Sequence, residues 1–206
     1  MHYEILDEVR RQLLPAFSFC KGQFYLAGGT SLALQIGHRD SIDFDFFSQE
    51  DIDTVQLFSA VQEAFAGHTI LKTQEEKNTL SVLIDGDVRV SFFAYPYKLI
   101  RDVLEEEYLR LASKEDIACM KLSAITGRAT EKDYIDLYFL LKEYPLSTLL
   151  DLARQKFPNL DTALILKSLV YFDDVVAEPI RFVSGSEIEF ATVQSEMRRV
   201  VAEVMT

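Results

Sequence analysis

Basic residues are scarce. Lys and Arg number 21 against 33 Asp and Glu, a formal net charge of −12. Proteins that grip nucleic acid over a long footprint carry a basic field to meet phosphates, so this composition disfavours a broad electrostatic hold on DNA. Cysteine is scarce too. Cys20 and Cys119 lack the close spacing of a zinc site or a disulfide framework and are expected as buried, reduced thiols. The three histidines, His2, His38 and His68, form no metal-ligand pattern. No apolar run approaches the roughly 20 residues of a membrane span, which excludes a membrane partner of that kind. Met1 to Pro15 carries acids early and lacks a basic-then-apolar signal, which predicts a cytoplasmic protein. There is no internal repeat and no low-complexity segment.

Apolar residues are plentiful, 49% of the 206 positions, ample for a core. The most informative stretch runs from Phe24 to Phe47. Phe24 to Ala27 is a short strand. Gly28 and Gly29 free the backbone for a tight turn and for close approach of a ligand. Thr30 or Ser31 is placed to cap the helix that follows, and Gly37 stops it. Ile42 to Phe47 then alternates, with Ile42, Phe44 and Phe46 on one face and Asp43, Asp45 and Phe47 on the other. A glycine turn opening a helix presents free N–H groups, a natural seat for phosphate, and the hydroxyls of Thr30 and Ser31 add donors. Asp43 and Asp45 suit a hard cation such as Mg²⁺, which takes oxygen ligands and fills its shell with phosphate oxygens. The plain alternative is an ordinary turn beside a solvated strand face. The joint occurrence of turn and carboxylate pair favours the functional reading.

Around this unit the pattern predicts an amphipathic helix over Glu4 to Phe19, broken near Pro15, and another over Thr54 to Ala66 with Val55, Leu57, Phe58, Val61 and Phe65 inward. A strand is expected over His68 to Thr73. A hairpin of Thr79–Ile84 and Val88–Tyr95 turns at Asp85-Gly86. After Pro96 the composition becomes helical. Val103–Leu111 reads as a helix. Ser113 with Asp116 opens a helix through Ile125, and Thr130 with Asp133 opens one through Tyr144. Ser147–Phe157, Asp161–Phe172 and Ser186–Met205 are three more. The fold expected is α+β: a mixed β-sheet with flanking helices in residues 1–97, then a helical half, residues 98–206.

Three further groups invite a chemical reading. Lys121 lies beside an apolar helix face; it reaches a phosphate or, as helical lysines usually do, snorkels to water. Asp133 and Asp136 share a face one turn apart. Capping and the helix dipole explain Asp133 well, and Asp136, beside Tyr134, Leu137 and Leu140, less well. Glu105-Glu106-Glu107 reads as a solvated helix face.

Several separated blocks together resemble the AbiEii/AbiGii toxin family of nucleotidyltransferase-like proteins. They are Leu26-Ala27-Gly28-Gly29-Thr30, His38-Arg39, Ser41-x-Asp43-Phe44-Asp45-Phe46-Phe47, Tyr95-Pro96-Tyr97, Asp116-Ile117-Ala118-x-Met120-Lys121 with Ala124-Ile125 and Arg128, and Lys132-Asp133-Tyr134-x-Asp136-Leu137. They cover roughly residues 24 to 141 in the family's order. The resemblance implies a nucleotidyltransferase-like fold of the DNA polymerase β type. It implies Mg²⁺-dependent transfer of a nucleotidyl group from a nucleoside triphosphate to an acceptor hydroxyl, with RNA or tRNA ends among the acceptors. It also implies a toxin role opposite a cognate antitoxin protein. Carried over, Gly29 and Thr30 hold the triphosphate, Asp43 and Asp45 the metals of a two-metal site, Lys121 pairs with phosphate charge, and Asp133 or Asp136 helps place nucleotide or metal.

One position departs. Many relatives carry a third carboxylate on the hairpin's second arm, where this chain reads Val88-Arg89-Val90-Ser91-Phe92-Phe93. Ser91 cannot take a metal or a proton as a carboxylate does. Asp136 is the substitute expected; Asp85 is better spent on the turn. Three readings stand at this point: an active transferase, a nucleotide-binding member impaired by Ser91, and a protein whose acidic surface meets a basic partner. Lys21, Arg39, Lys72, Lys77, Arg89 and Arg128 form a basic entrance for an acceptor if they converge.

Overall fold

The computed structural model describes residues 1–206 and divides into two compact units. The first comprises Met1–Ile36, Ser41–Lys98 and Asp102–Ala112; the second comprises Gly37–Asp40, Leu99–Arg101 and Ser113–Thr206.

The first unit is a seven-stranded mixed sheet with helices. Its strands are β1 (Tyr25–Ala27), β2 (Phe44–Ser48), β3 (Ile70–Glu76), β4 (Thr79–Ile84), β5 (Val88–Ala94), β6 (Leu104–Glu105) and β7 (Arg110–Leu111), in the order β3-β4-β5-β2-β1-β7-β6. Its helices are α1 (Glu8–Leu13), α2 (Gly28–Ile36) and α3 (Thr54–Ala64), with 3₁₀ turns at Tyr3–Ile5 and Leu14–Cys20. Proline at the start of the second 3₁₀ segment ends α1 where Pro15 was expected to break it. β1 runs antiparallel to β2, and β2 parallel to β5. β2 buries Phe44, Phe46 and Ser48 and leaves Asp45 and Phe47 half-exposed, the period of a strand with one face on the core. Phe17 sits 4.7 Å from Phe44, 5.1 Å from Phe46 and 5.2 Å from Phe65, ring centre to ring centre, and Phe46 stacks on Phe92. This aromatic cluster anchors the sheet. Asp85 and Gly86 both take positive φ in the hairpin turn.

Two local expectations fail here. Val103–Leu111 is not a helix but β6 and β7. Leu111 pairs with Leu26 of β1, and the Ala112 N–H donates to the Leu26 carbonyl. The open edge of β1 thus outweighs helix propensity. The acidic run is tied by Lys21, whose Nζ donates to the Glu106 carbonyl, and Glu105 pairs with Arg110. Val55, expected inward on α3, is 69% exposed, and Ile42 is exposed too.

The second unit is helical: α4 (Lys114–Gly127), α5 (Glu131–Leu141), α6 (Leu146–Lys156), α7 (Thr162–Leu169) and α8 (Phe190–Met205). Ser113 caps α4 by accepting the Asp116 N–H, as its position predicts. Thr130 does not cap α5 in that way; its hydroxyl donates instead to the Asp133 carboxylate, 2.7 Å. α4 packs against α5, α6 and α7. It buries Ile117, Ala118, Cys119, Leu122 and Ile125, more than one helical face. Cys20 and Cys119 are free and buried, and burial pushes both thiols up to about 12.

Candidate functional site

The site in the first unit is built by strand register. Ala27 of β1 faces Asp45 of β2, and Asp45 faces Ser91 of β5. β1 ends at Ala27, and α2 begins at once with Gly28 at φ +71°. A Cβ at Gly28 would sit at ordinary contact, 3.6 Å, from Asp45 Oδ2, so α2 opens directly beside that carboxylate, and the positive φ is what calls for glycine there. Asp43 stands just ahead of β2, half-exposed like Asp45.

The hydroxyls of Thr30 and Ser31 point elsewhere. Thr30 is 2% exposed; its Oγ1 donates to the Asp43 carbonyl and lies 2.7 Å from Ser41 Oγ. Ser31 is fully buried against Gln35, whose Nε2 also donates to the Ala112 carbonyl at 3.0 Å. Thr30 therefore ties the turn to the Asp43 backbone, and what the turn offers outward is main-chain N–H. Helix capping by Thr30 or Ser31 is corrected: α2 starts two residues earlier, because the glycines fold directly from strand into helix. Ser91 is 4% exposed and accepts from Ser81 Oγ at 3.1 Å. No group of three or more His, Cys, Asp or Glu side chains is arranged to hold a metal. Asp43 and Asp45, two positions apart and both half-exposed, offer oxygen ligands of the kind Mg²⁺ takes when phosphate oxygens and water complete its shell.

In the second unit the structure gathers Lys121, Asp133 and Asp136 with His38, to which the sequence assigned no role, and Arg39, which was expected in a basic entrance. Asp136 is fully buried. Its Oδ1 accepts from His38 Nε2 at 2.8 Å and Arg39 Nε at 2.7 Å; its Oδ2 accepts from Arg39 Nη2 at 2.8 Å and lies 2.6 Å from Lys121 Nζ. Lys121 also donates to Asp133 at 2.7 Å. Burial alone would raise the Asp136 pKa. The charges of Lys121 and Arg39, with hydrogen bonds from His38 and Arg39, overcome burial and hold it well below the usual carboxylate range. Burial lowers His38, against the pull of Asp136. A neutral imidazole carrying its proton on Nε2 fits both that shift and the lack of a partner at buried Nδ1. Burial raises Asp133, but Lys121, Thr130 and Arg128 bring it down. With four donors on its two oxygens, Asp136 has no lone pair placed for a metal. Arg39 is likewise committed to Asp136, and Lys72 to Glu75, which removes both from any open basic entrance.

The family model described as "Nucleotidyl transferase AbiEii toxin, Type IV TA system" matches residues 12–203. The chain belongs to this family. An uncharacterized protein of Aquifex aeolicus (strain VF5), aq_aa25, is 40% identical over 161 residues, 75% of this chain and 76% of that protein. Among solved structures, JHP933 from Helicobacter pylori matches with a TM-score of 0.61 at 19% identity, covering 96% of this chain and 89% of that one. The nucleotidyltransferase toxin MenT4 (Rv2826c) of Mycobacterium tuberculosis H37Rv matches with a TM-score of 0.62 at 15% identity, covering 96% and 82%. At such identities the likeness is one of fold: a nucleotidyltransferase-like mixed sheet with flanking helices. No helix is long and apolar enough to cross a membrane.

Within this AbiEii member two parts of these buried networks were not legible in the sequence. His38 stood in a motif without a role, and Arg39 was expected in a basic entrance rather than on Asp136. Lys156 was not singled out, yet it is buried and donates to Asp116 Oδ1 at 2.7 Å, while Asp116 also accepts the Ile100 and Arg101 N–H groups. The available signal was slight: one lysine near the end of an apolar helix.

Proposed function

We propose that this AbiEii-family protein transfers a nucleotidyl group from a nucleoside triphosphate to an acceptor hydroxyl, with an RNA end as acceptor. The observation that supports this most is the register Ala27–Asp45–Ser91 with Gly28 opening beside Asp45 Oδ2. In this reading the N–H groups of Gly28, Gly29 and the first turn of α2 receive the phosphates, aided by the positive end of the helix. Asp43 and Asp45 hold Mg²⁺ together with the triphosphate. The ion supplies charge neutralisation on the transferring phosphate. Thr30 fixes the turn to the Asp43 backbone and so sets the spacing between the N–H groups and the carboxylates. The acceptor oxygen bonds to the α-phosphorus, the bond to the β-phosphate oxygen breaks, pyrophosphate leaves, and the hydroxyl proton passes to solvent. Such a loose transfer asks the protein mainly to position and neutralise, which two carboxylates can do. Lys121, Asp133 and Asp136 form the buried network of the second unit, with Asp136 at its centre rather than serving as a third metal ligand.

The test is incubation of purified protein with Mg²⁺, labelled nucleoside triphosphates and total RNA. Labelling of an acceptor is expected, with a loss of at least a hundredfold in Asp45→Ala, the scale of removing one charge-stabilising group; unchanged labelling in that variant overturns the assignment. Ser91 favours a second reading, a nucleotide-binding protein without turnover. Calorimetric nucleotide binding with no labelling from any RNA supports that reading. For the toxin role, co-purification with a neighbouring antitoxin is the corresponding check.

A further inference from the structure

In the second unit a cavity of about 370 Å³ opens between the end of α4, the start of α5 and α7. Its size falls at the small end of ligand sites, which run roughly 300–1,000 Å³. Tyr134 backs it, held by a hydrogen bond from its hydroxyl to the Ser168 carbonyl, 2.8 Å. Leu164 (45% exposed) and Tyr171 (49% exposed) give it an apolar, aromatic wall. Two cations reach it. Arg128 is 68% exposed and is held by Asp133 alone, at 3.5 Å; Lys167 is exposed on α7. Asp174 completes the lining with a hydrogen-bond acceptor.

In a chain of net charge −12, this cavity brings two exposed cations beside an open aromatic side chain. A hydrocarbon would leave the two cations with no counter-charge beyond the carboxylates of Asp133 and Asp174. A plain inorganic anion would leave Tyr171 and Leu164 in water. A unit that joins a flat ring to a phosphate satisfies both. We infer that this cavity seats a single nucleotide, with the base on Tyr171 and the phosphate between Arg128 and Lys167, and that the nucleotide is the end of a single-stranded RNA. Base stacking on an aromatic side chain tolerates any base, and cations track the backbone, the combination by which single strands are held. Asp174 is placed to accept from an exocyclic amino group or a 2′-hydroxyl. The volume admits one nucleotide and not a duplex. The RNA assignment rests on the transferase reading above; the nucleotide chemistry of the cavity does not.

The experiment measures fluorescence anisotropy of a labelled ten-nucleotide single-stranded RNA on full-length Asp45→Ala protein, so that binding is read without transfer. Tyr171→Ala and Lys167→Glu should each weaken binding on the order of tenfold, whereas Tyr171→Phe should keep it. Arg11→Glu, with the same charge change on exposed α1, serves as the electrostatic control and should bind normally. Equal losses in Lys167→Glu and Arg11→Glu, or unchanged binding in Tyr171→Ala, overturn the proposal. Adenosine monophosphate tested alone separates the sources. Tyr171-dependent binding of the monophosphate without RNA binding supports the nucleotide site and overturns the RNA assignment. Binding of neither overturns both. RNA binding that depends on Tyr171, in a wild-type protein that labels nothing, upholds this site while the transferase reading falls.

Discussion

Asp45 shares its register with Ser91, and that pairing governs what single substitutions should do. Ser91→Asp would set a second carboxylate beside Asp45 on the neighbouring strand, in a position 4% exposed. Like charges that close disfavour joint ionisation, so the variant should melt lower than wild type in the absence of divalent cation. Mg²⁺ should restore much of the loss, since binding to the folded state stabilises it in proportion to RT ln(1 + [L]/Kd). Thermal melts with and without MgCl₂ check this; a melting point insensitive to Mg²⁺ counts against metal binding at Asp45. Gly28 makes a separate prediction. Its φ of +71° costs an L-residue about 1–2 kcal/mol. Gly28→Ala should therefore lower the urea-unfolding free energy by about that amount, and the methyl group beside Asp45 should reduce transfer.

At the level of elements, the Asp136 network ties α4, α5 and the Gly37–Asp40 segment together in the second unit. Removing one partner of a buried ion pair leaves the rest uncompensated and typically costs about 3–5 kcal/mol. Asp136→Asn should lose stability on that scale at neutral pH. The pH dependence follows from the direction of the shift. The folded-state pKa of Asp136 lies well below its unfolded value, so its stabilisation is fully present above the ordinary carboxylate range. That stabilisation is lost as pH falls below that range towards the depressed folded value. Wild type should thus show an acid-side loss of unfolding free energy that Asp136→Asn has already suffered, and the two curves should converge in acid. Chemical denaturation between neutral pH and pH 3 measures it. Lys121 works in the opposite sense. Its raised pKa makes its contribution present below the usual lysine range and lost as pH climbs through the folded value.

For the molecule as a whole, charge sets how nucleic acid can be held. With −12 overall, no long basic track is available, and the cavity of the second unit offers two cations, Arg128 and Lys167. Single-strand binding in which Arg128 and Lys167 together neutralise one phosphate predicts a plot of log K against log salt with a slope of roughly −0.7. Anisotropy titrations over a range of salt concentrations check it. A slope several times steeper would mean that contacts spread over a long footprint, contrary to the composition.

Much of the fold can be read from local order. The glycine turn at Gly28, the stop at Gly37, the Asp85-Gly86 hairpin and the Ser113 cap each depend on residues within a few positions. Such signals survive in a linear chain. The alternation of Asp43 and Asp45 against Phe44 and Phe46 is equally local, and the separated motifs carry family membership. What local order could not supply is pairing over distance. Val103–Leu111 has helical composition and becomes two short strands because β1 offers an unpaired edge. Thr30 and Ser31 look like phosphate donors and turn inward, because the Asp43 backbone and Gln35 claim their hydroxyls. Lys121, Asp133 and Asp136 were read as site residues from their motifs. Their shared burial with His38 and Arg39 joins positions 97 and 98 residues apart in the chain. Burial makes unpaired charge costly, so such groups are matched in three dimensions, and a linear sequence records the charges but not their partners.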